Sequence, residues 1–106
     1  LETGLVEHLR EDGFTYRPTT TVDWMVCDMV EQPGRIAHLV ARWVAEGHCQ
    51  RSIFNLKLPM KRRTLELARC REILHGALEH TGIGFELQFK HLYHDRDEVT
   101  GYVYRP

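Results

Sequence analysis

Val22-Asp23-Trp24-Met25-Val26-Cys27-Asp28 is the stretch on which the reading of this chain turns. It is short, mostly apolar and β-prone, and it stops at an acid, as expected of a strand buried inside a parallel sheet. The residues after it support that reading. Pro33 and Gly34 open a helix in which Ile36, Leu39, Val40, Trp43 and Val44 recur at i, i+3, i+4, i+7 and i+8, one apolar stripe. Gly47 stands where that helix should stop. Ser52-Ile53-Phe54-Asn55-Leu56-Lys57-Leu58, closed by Pro59, reads as the next strand. Strand, helix and strand in this order build a parallel sheet with a helical crossover.

Working outward, residues 6–10 read as a short strand followed by the turn Glu11-Asp12-Gly13, and residues 16–21 read as a loop. A longer helix is predicted from about residue 61 to 80. Its buried stripe would use Leu67, Cys70, Leu74, Ala77 and Leu78, and Gly82 and Gly84 end it. Beyond it the period changes to two. Phe85, Leu87 and Phe89 alternate with polar residues, as do Val99, Gly101 and Val103, and the polar link His94-Asp95-Arg96-Asp97 joins them as in a hairpin. The expected class is α/β, a mostly parallel sheet finished by a C-terminal antiparallel hairpin.

The 106 residues suffice for one domain with one core. Net charge is −1, so no global basic field points to nucleic acid, and any RNA contact must come from a local patch. No apolar run approaches the ~18 residues of a membrane span, and no signal peptide is visible. The first residue is Leu1, which suggests a piece excised from something larger. Cys27, Cys49 and Cys70 are odd in number and far apart, which argues against a disulfide framework and for a reducing, cytoplasmic setting. His48-Cys49 has no accompanying Cys-x-x-Cys, so no metal site is expected.

In open α/β sheets, ligands bind beyond the carboxyl ends of the strands. Asp12, Asp28 and Lys57 fall at such ends. Glu98 opens the second hairpin strand, and the start of an antiparallel strand lies beside its neighbours' carboxyl ends. These groups are expected to converge on one rim. A lysine in an apolar strand is costly without partners, and Asp28 and Glu98 are the available partners. A structural ion pair and a reactive site both fit this pattern. Lys61-Arg62-Arg63 opens the second helix against its macrodipole, which suits either a phosphate contact or a solvated charged turn.

Three longer blocks resemble a known family. They are Trp24-Met25-Val26-Cys27-Asp28-Met29, Ile53-Phe54-Asn55-Leu56-Lys57-Leu58-Pro59-Met60 and Leu92-Tyr93-His94-Asp95-Arg96-Asp97-Glu98-Val99. Nearly the whole chain resembles the FtsJ-like methyltransferases, and within them the bacterial enzymes that methylate ribose 2′-hydroxyls of large-subunit (23S) ribosomal RNA. The resemblance implies a Rossmann-like fold that uses S-adenosylmethionine, with residues 1–106 as the C-terminal part of the catalytic domain. The family uses a Lys-Asp-Lys-Glu tetrad. By resemblance its aspartate falls on Asp28, its second lysine on Lys57 and its glutamate on Glu98. Asp12 falls on the family's adenine-side contact to the cofactor, and Asp28 lies near the cofactor's methionine part. Lys61, Arg62 and Arg63 become candidates for RNA contact. The family's glycine-rich cofactor loop, its first tetrad lysine and its ribose-binding acid all precede the point at which this chain begins, so the cofactor pocket is incomplete here.

On that resemblance Lys57 is the general base for a cytidine 2′-hydroxyl, Asp28 orients it and Glu98 positions Lys57 or the ribose. An ordinary lysine titrates near ~10.4, and burial among Phe54, Leu56 and Leu58 would favour its neutral form. In the family the strand entering Asp12 lies beyond two strands absent here. The strand at 22–27 is therefore expected to show an apolar free edge, inviting a homodimer or a strand-swapped oligomer. Two other classes compete. One is a non-catalytic scaffold or RNA-docking piece. The other is a metal-dependent nuclease, weakened by acids spread over different strands.

Overall fold

The computed structural model describes residues 6–9, 20–29, 31–58, 60–91 and 98–106, with backbone alone for 6–9 and 60. The described strands are β1 (Val6–Leu9), β2 (Val22–Cys27), β3 (Cys49–Lys57), β4 (Glu86–Lys90) and β5 (Glu98–Tyr104). The helices are α1 (Pro33–Ala45) and α2 (Arg63–Glu79), and one 3-10 turn, Met60–Arg62, leads into α2. The strands form one sheet in the order β1-β2-β3-β5-β4. β1 with β2 and β2 with β3 pair parallel, whereas β3 with β5 and β5 with β4 pair antiparallel. The sheet is therefore mixed, not mostly parallel. The hairpin is present, but its second strand lies inside, between β3 and β4, so it contributes two antiparallel ladders.

The free edge expected on β2 does not exist. β1 occupies it, from Val6 opposite Trp24 to Leu9 opposite Cys27. Unpaired N–H and C=O groups on a strand edge are satisfied by whichever strand can reach them, and β1 of the same chain does so. The ground for expecting a strand-swapped oligomer goes with that edge.

Alternation decides which side of the sheet is core. On β3, Ser52, Phe54 and Leu56 are buried. Register sets Ser52 beside Met25 and Val103, Phe54 beside Cys27 and Gly101, and Leu56 beside Val99. Both helices cover this face. α1 buries Ile36, Ala37, Leu39, Val40, Ala41, Trp43 and Val44, a stripe more than half a turn wide. α2 buries only Cys70, Leu74 and Leu78, spaced by four. It leans on α1 and reaches the β4 side, where the Arg71 guanidinium lies 5.2 Å from the Phe89 ring.

The end of α1 is specified twice. Gly47 takes φ 77°, which a side chain would resist. The Gly47 N–H then bonds to Val44 O and the His48 N–H to Trp43 O, the paired closure of a Schellman motif. The two carbonyls Val44 O and Ala45 O accept from Arg105 Nη1 at 2.7 and 2.9 Å. A cation at a helix C-terminus meets both the last carbonyls and the macrodipole. Arg105→Ala is expected to cost about 1–2 kcal/mol by thermal or urea melting. An unchanged melting curve would show that water replaces the guanidinium at no loss.

All three cysteines are free and buried. Burial pushes the Cys27 thiol up to about 11, the Cys49 thiol to about 12 and the Cys70 thiol to about 11, from an ordinary 9.0. A thiol whose folded value is raised binds its proton more tightly in the native state. Its contribution is complete below pH 9 and is lost as pH rises toward 11–12. The melting temperature is expected to fall across that alkaline window, and less steeply in Cys49→Ala. Equal slopes for the parent and Cys49→Ala would contradict this. Among the described residues no helix is long and apolar enough to cross a membrane.

Candidate functional site

The same alternation that buries Phe54 and Leu56 sends Arg51, Ile53, Asn55 and Lys57 to the opposite face, which no described helix covers. At the amino end of β3 that face is aromatic. The Arg51 guanidinium lies 4.5 Å from the Tyr104 ring and 5.6 Å from that of Trp24, whose ring centroid is 6.1 Å from that of Tyr102. At the carboxyl end the face is polar.

That polar end is built from the register. Cys27 pairs with Phe54, so the next residue on each strand, Asp28 and Asn55, stand side by side. Asn55 Nδ2 donates to Asp28 Oδ1 at 3.1 Å. Asn55 is also the direct partner of Thr100 on β5, and Thr100 Oγ1 donates to Asn55 Oδ1 at 3.0 Å. One row nearer the rim, Lys57 and Glu98 are direct partners. Two polar rows therefore share one face and one end of the sheet: Asp28–Asn55–Thr100, then Lys57–Glu98. The convergence of Asp28, Lys57 and Glu98 expected from strand ends is what the strand register produces.

The expected burial of Lys57 is corrected. Lys57 is exposed, as is Asp28, and Glu98 is half-buried. Phe54, Leu56 and Leu58 are 0–2% exposed, but they are even-numbered and point to the helix side. A period of two places a lysine between such neighbours on the other face. Nothing in the described chain removes it from water. Among the described residues no ion pair joins Lys57 to Glu98 within 4 Å.

Asp12 lies outside the described residues. Lys61 and Arg62 are exposed in the 3-10 turn that follows β3, at the same end of the sheet as Lys57, and half-buried Arg63 begins α2. At the His48-Cys49 pair, His48 Nε2 lies 3.1 Å from Glu46 Oε1, and Cys49 is buried. Among the described residues no three or more His, Cys, Asp or Glu side chains are grouped so as to hold a metal ion. An open cleft lined by Gln32, Pro33, Gly34, Arg35 and Glu66 lies between α1 and α2, and it contains none of the rim residues. Asn55 and Thr100 were not singled out from sequence. The available signal was a polar Asn55 between Phe54 and Leu56.

An exposed acid just past the end of a parallel strand, a lysine on the next strand and a glutamate facing it line one rim of the sheet. No protein-family model matches the chain. Among curated proteins it is 60% identical over 103 residues to the "Ribosomal RNA large subunit methyltransferase M" of Aromatoleum aromaticum, covering 97% of this chain and 28% of that protein. Relatives of the same name from Methylococcus capsulatus and Cellvibrio japonicus are 56% and 52% identical over 103 residues, 97% of this chain and 29% of each relative. The chain thus spans less than a third of the length of these relatives. These relatives share one class, RNA methyltransferases by name. In particular, the chain is homologous to the C-terminal part of ribosomal RNA large subunit methyltransferase M.

Proposed function

We propose that this chain forms the C-terminal part of an FtsJ-like catalytic domain. With the remaining length of such an enzyme, it methylates a cytidine ribose 2′-hydroxyl in 23S ribosomal RNA in the cytoplasm. The observation that carries the reading is the pairing of Lys57 with Glu98 one row from Asp28, in a chain homologous to named ribosomal RNA methyltransferases. The cofactor is S-adenosylmethionine, which when bound supplies a methyl group already activated for transfer. The residues present fit one side of it. The Asp28 carboxylate is exposed at the rim, and the bond it accepts from Asn55 leaves acceptor capacity for a cationic group. Asp12 would meet the adenine side. Asp28 stands near the methionine part, and the glycine-rich loop of the family is not in this sequence. The isolated chain is accordingly read as inactive.

Lys57 takes the proton of the attacking 2′-hydroxyl. It is solvent-exposed here and stands directly opposite Glu98 on the neighbouring strand. Glu98, directly opposite, holds Lys57 or the ribose, or receives the proton in turn. Asp28 orients the lysine beside the methyl. Lys61, Arg62 and Arg63 contact RNA phosphates beyond the same rim, where Lys and Arg commonly fix register without reading sequence. Most of the rate gain is proximity and orientation.

The test uses the Aromatoleum aromaticum relative with this chain in place of its matching C-terminal stretch. That chimaera is expected to transfer labelled methyl groups to ribose in 23S ribosomal RNA. Label on a base, or none on RNA when the unaltered relative is active, would refute the reading. The isolated chain is expected to bind S-adenosylmethionine weakly or not at all by calorimetry. Tight binding would show that it carries a complete cofactor site.

A further inference from the structure

We propose that Asn55, held by Thr100, is a positioning residue that fixes the Asp28 carboxylate at the rim; this rests on the reading of Asp28 as part of the methyl-transfer site. The chain of bonds has only one workable polarity. A carboxylate can only accept, so the Asn55 amide must turn its NH₂ toward Asp28 and its carbonyl toward β5. The Thr100 hydroxyl then donates to that carbonyl, at 3.0 Å, and the amide donates to Asp28 Oδ1, at 3.1 Å. Were the amide turned the other way, two acceptors would face each other and the carboxylate would be released to rotate. The acceptor-only carboxylate thus fixes which way the amide faces, and the Thr100 hydroxyl, donating to the amide carbonyl, holds it there.

Placement gives this row its consequence. Asn55 is the central member, on the middle of three adjacent strands, with Lys57 two residues further on the same face and Glu98 two residues before Thr100. Asp28 lies just past the end of β2. It is exposed, and its carboxylate accepts from Asn55 Nδ2. Without that bond its carboxylate is free to sample the rotamers open to a solvated aspartate, and few of these place it beside the neighbouring lysine row. Misplacement of a catalytic group by about 1 Å can cost ~100-fold in rate.

The experiment uses the same chimaera and four variants. Asn55→Ala and Thr100→Val are each expected to lower kcat about 10- to 100-fold. KM for ribosomal RNA and the melting temperature should change little. Thr100→Ser, which keeps the hydroxyl, is expected to restore kcat to near that of the parent. A loss of thermal stability in Asn55→Ala with kcat unchanged would make the row structural and overturn the proposal. So would a failure of Thr100→Ser to differ from Thr100→Val. Asp28→Ala separates the two levels. If it is inactive while Asn55→Ala and Thr100→Val are fully active, positioning alone is wrong. If Asp28→Ala retains parental turnover, the assignment of the site itself fails, and positioning fails with it.

Discussion

Lys57→Ala in the chimaera is expected to abolish methyl transfer, by about 10³-fold or more, while S-adenosylmethionine still binds. General-base groups contribute roughly 10²–10⁴-fold. The upper part of that range applies because a protonated ribose hydroxyl is a poor nucleophile even toward an activated methyl. Stability should be nearly unaffected. Lys57 is exposed and makes no ion pair with Glu98 within 4 Å among the described residues, so its removal leaves no buried charge behind. Equilibrium binding of the cofactor and labelled-methyl transfer, measured side by side, separate the two effects. Near-parental turnover would eliminate Lys57 as the base. Loss of cofactor binding along with turnover would make it a binding group instead. Lys57→Arg is a sharper companion. Arginine keeps the charge but is effectively never neutral, so it should be as inactive as alanine if proton removal is the role.

The second large effect is on folding. Gly101→Ala is expected to destabilise the chain by about 3 kcal/mol, toward the upper end of what overpacking costs. Gly101 is the direct partner of Phe54 on one side and Phe89 on the other. A Cβ at this position would press into three carbons of the Phe54 ring, the farthest of them, Cε1, at 2.8 Å. The ring has nowhere to retreat: Phe54 is fully buried and meets Phe89 edge-on at 6.1 Å between centroids. Denaturant melts of Gly101→Ala, Phe54→Leu and the double variant form the test. The double variant should be less destabilised than the sum of the singles, because the smaller leucine vacates the space that the new methyl needs. Strict additivity would mean that the glycine is kept for a reason other than the ring.

Both effects trace to the alternation on β3. Its even-numbered residues make the core against α1, and its odd-numbered residues make the polar rim. A single-residue slip of β3 would exchange Phe54 for Asn55 in the core, so the packing of Phe54 on Gly101 and the pairing of Lys57 with Glu98 are set together. Stability and the candidate chemistry share one register without sharing side chains.

The elements themselves were legible because each carries a local signal. The 3.6-residue stripe of α1, the Pro33 start and the Gly47 stop mark a helix whatever surrounds it. The alternating residues of the hairpin likewise mark β4 and β5. The placement of Asp28 and Lys57 at strand carboxyl ends, and of Glu98 at the start of an antiparallel neighbour, was legible too. Lys57 was misjudged at a specific point. Burial of Lys57 is expected from its neighbours Phe54, Leu56 and Leu58, although Asn55 and Lys57 already alternate with Phe54 and Leu56. The exposure of Lys57 was therefore available in the spacing.

Tertiary structure alone decided the rest, because pairing is a relation between distant segments that no local pattern encodes. It placed β5 inside the sheet, against both β3 and β4, and so set Glu98 opposite Lys57, 41 residues apart in the numbering of the ladder. It put β1 on the edge of β2 that the sequence left open. It also joined Asp28, Asn55 and Thr100 into one hydrogen-bonded row across three strands. By itself the amino-acid sequence determined which residues could be core and which could react. Which of them stand next to one another depended on strand order and register, since a hydrogen-bond ladder aligns two strands only after both have been brought into the same sheet.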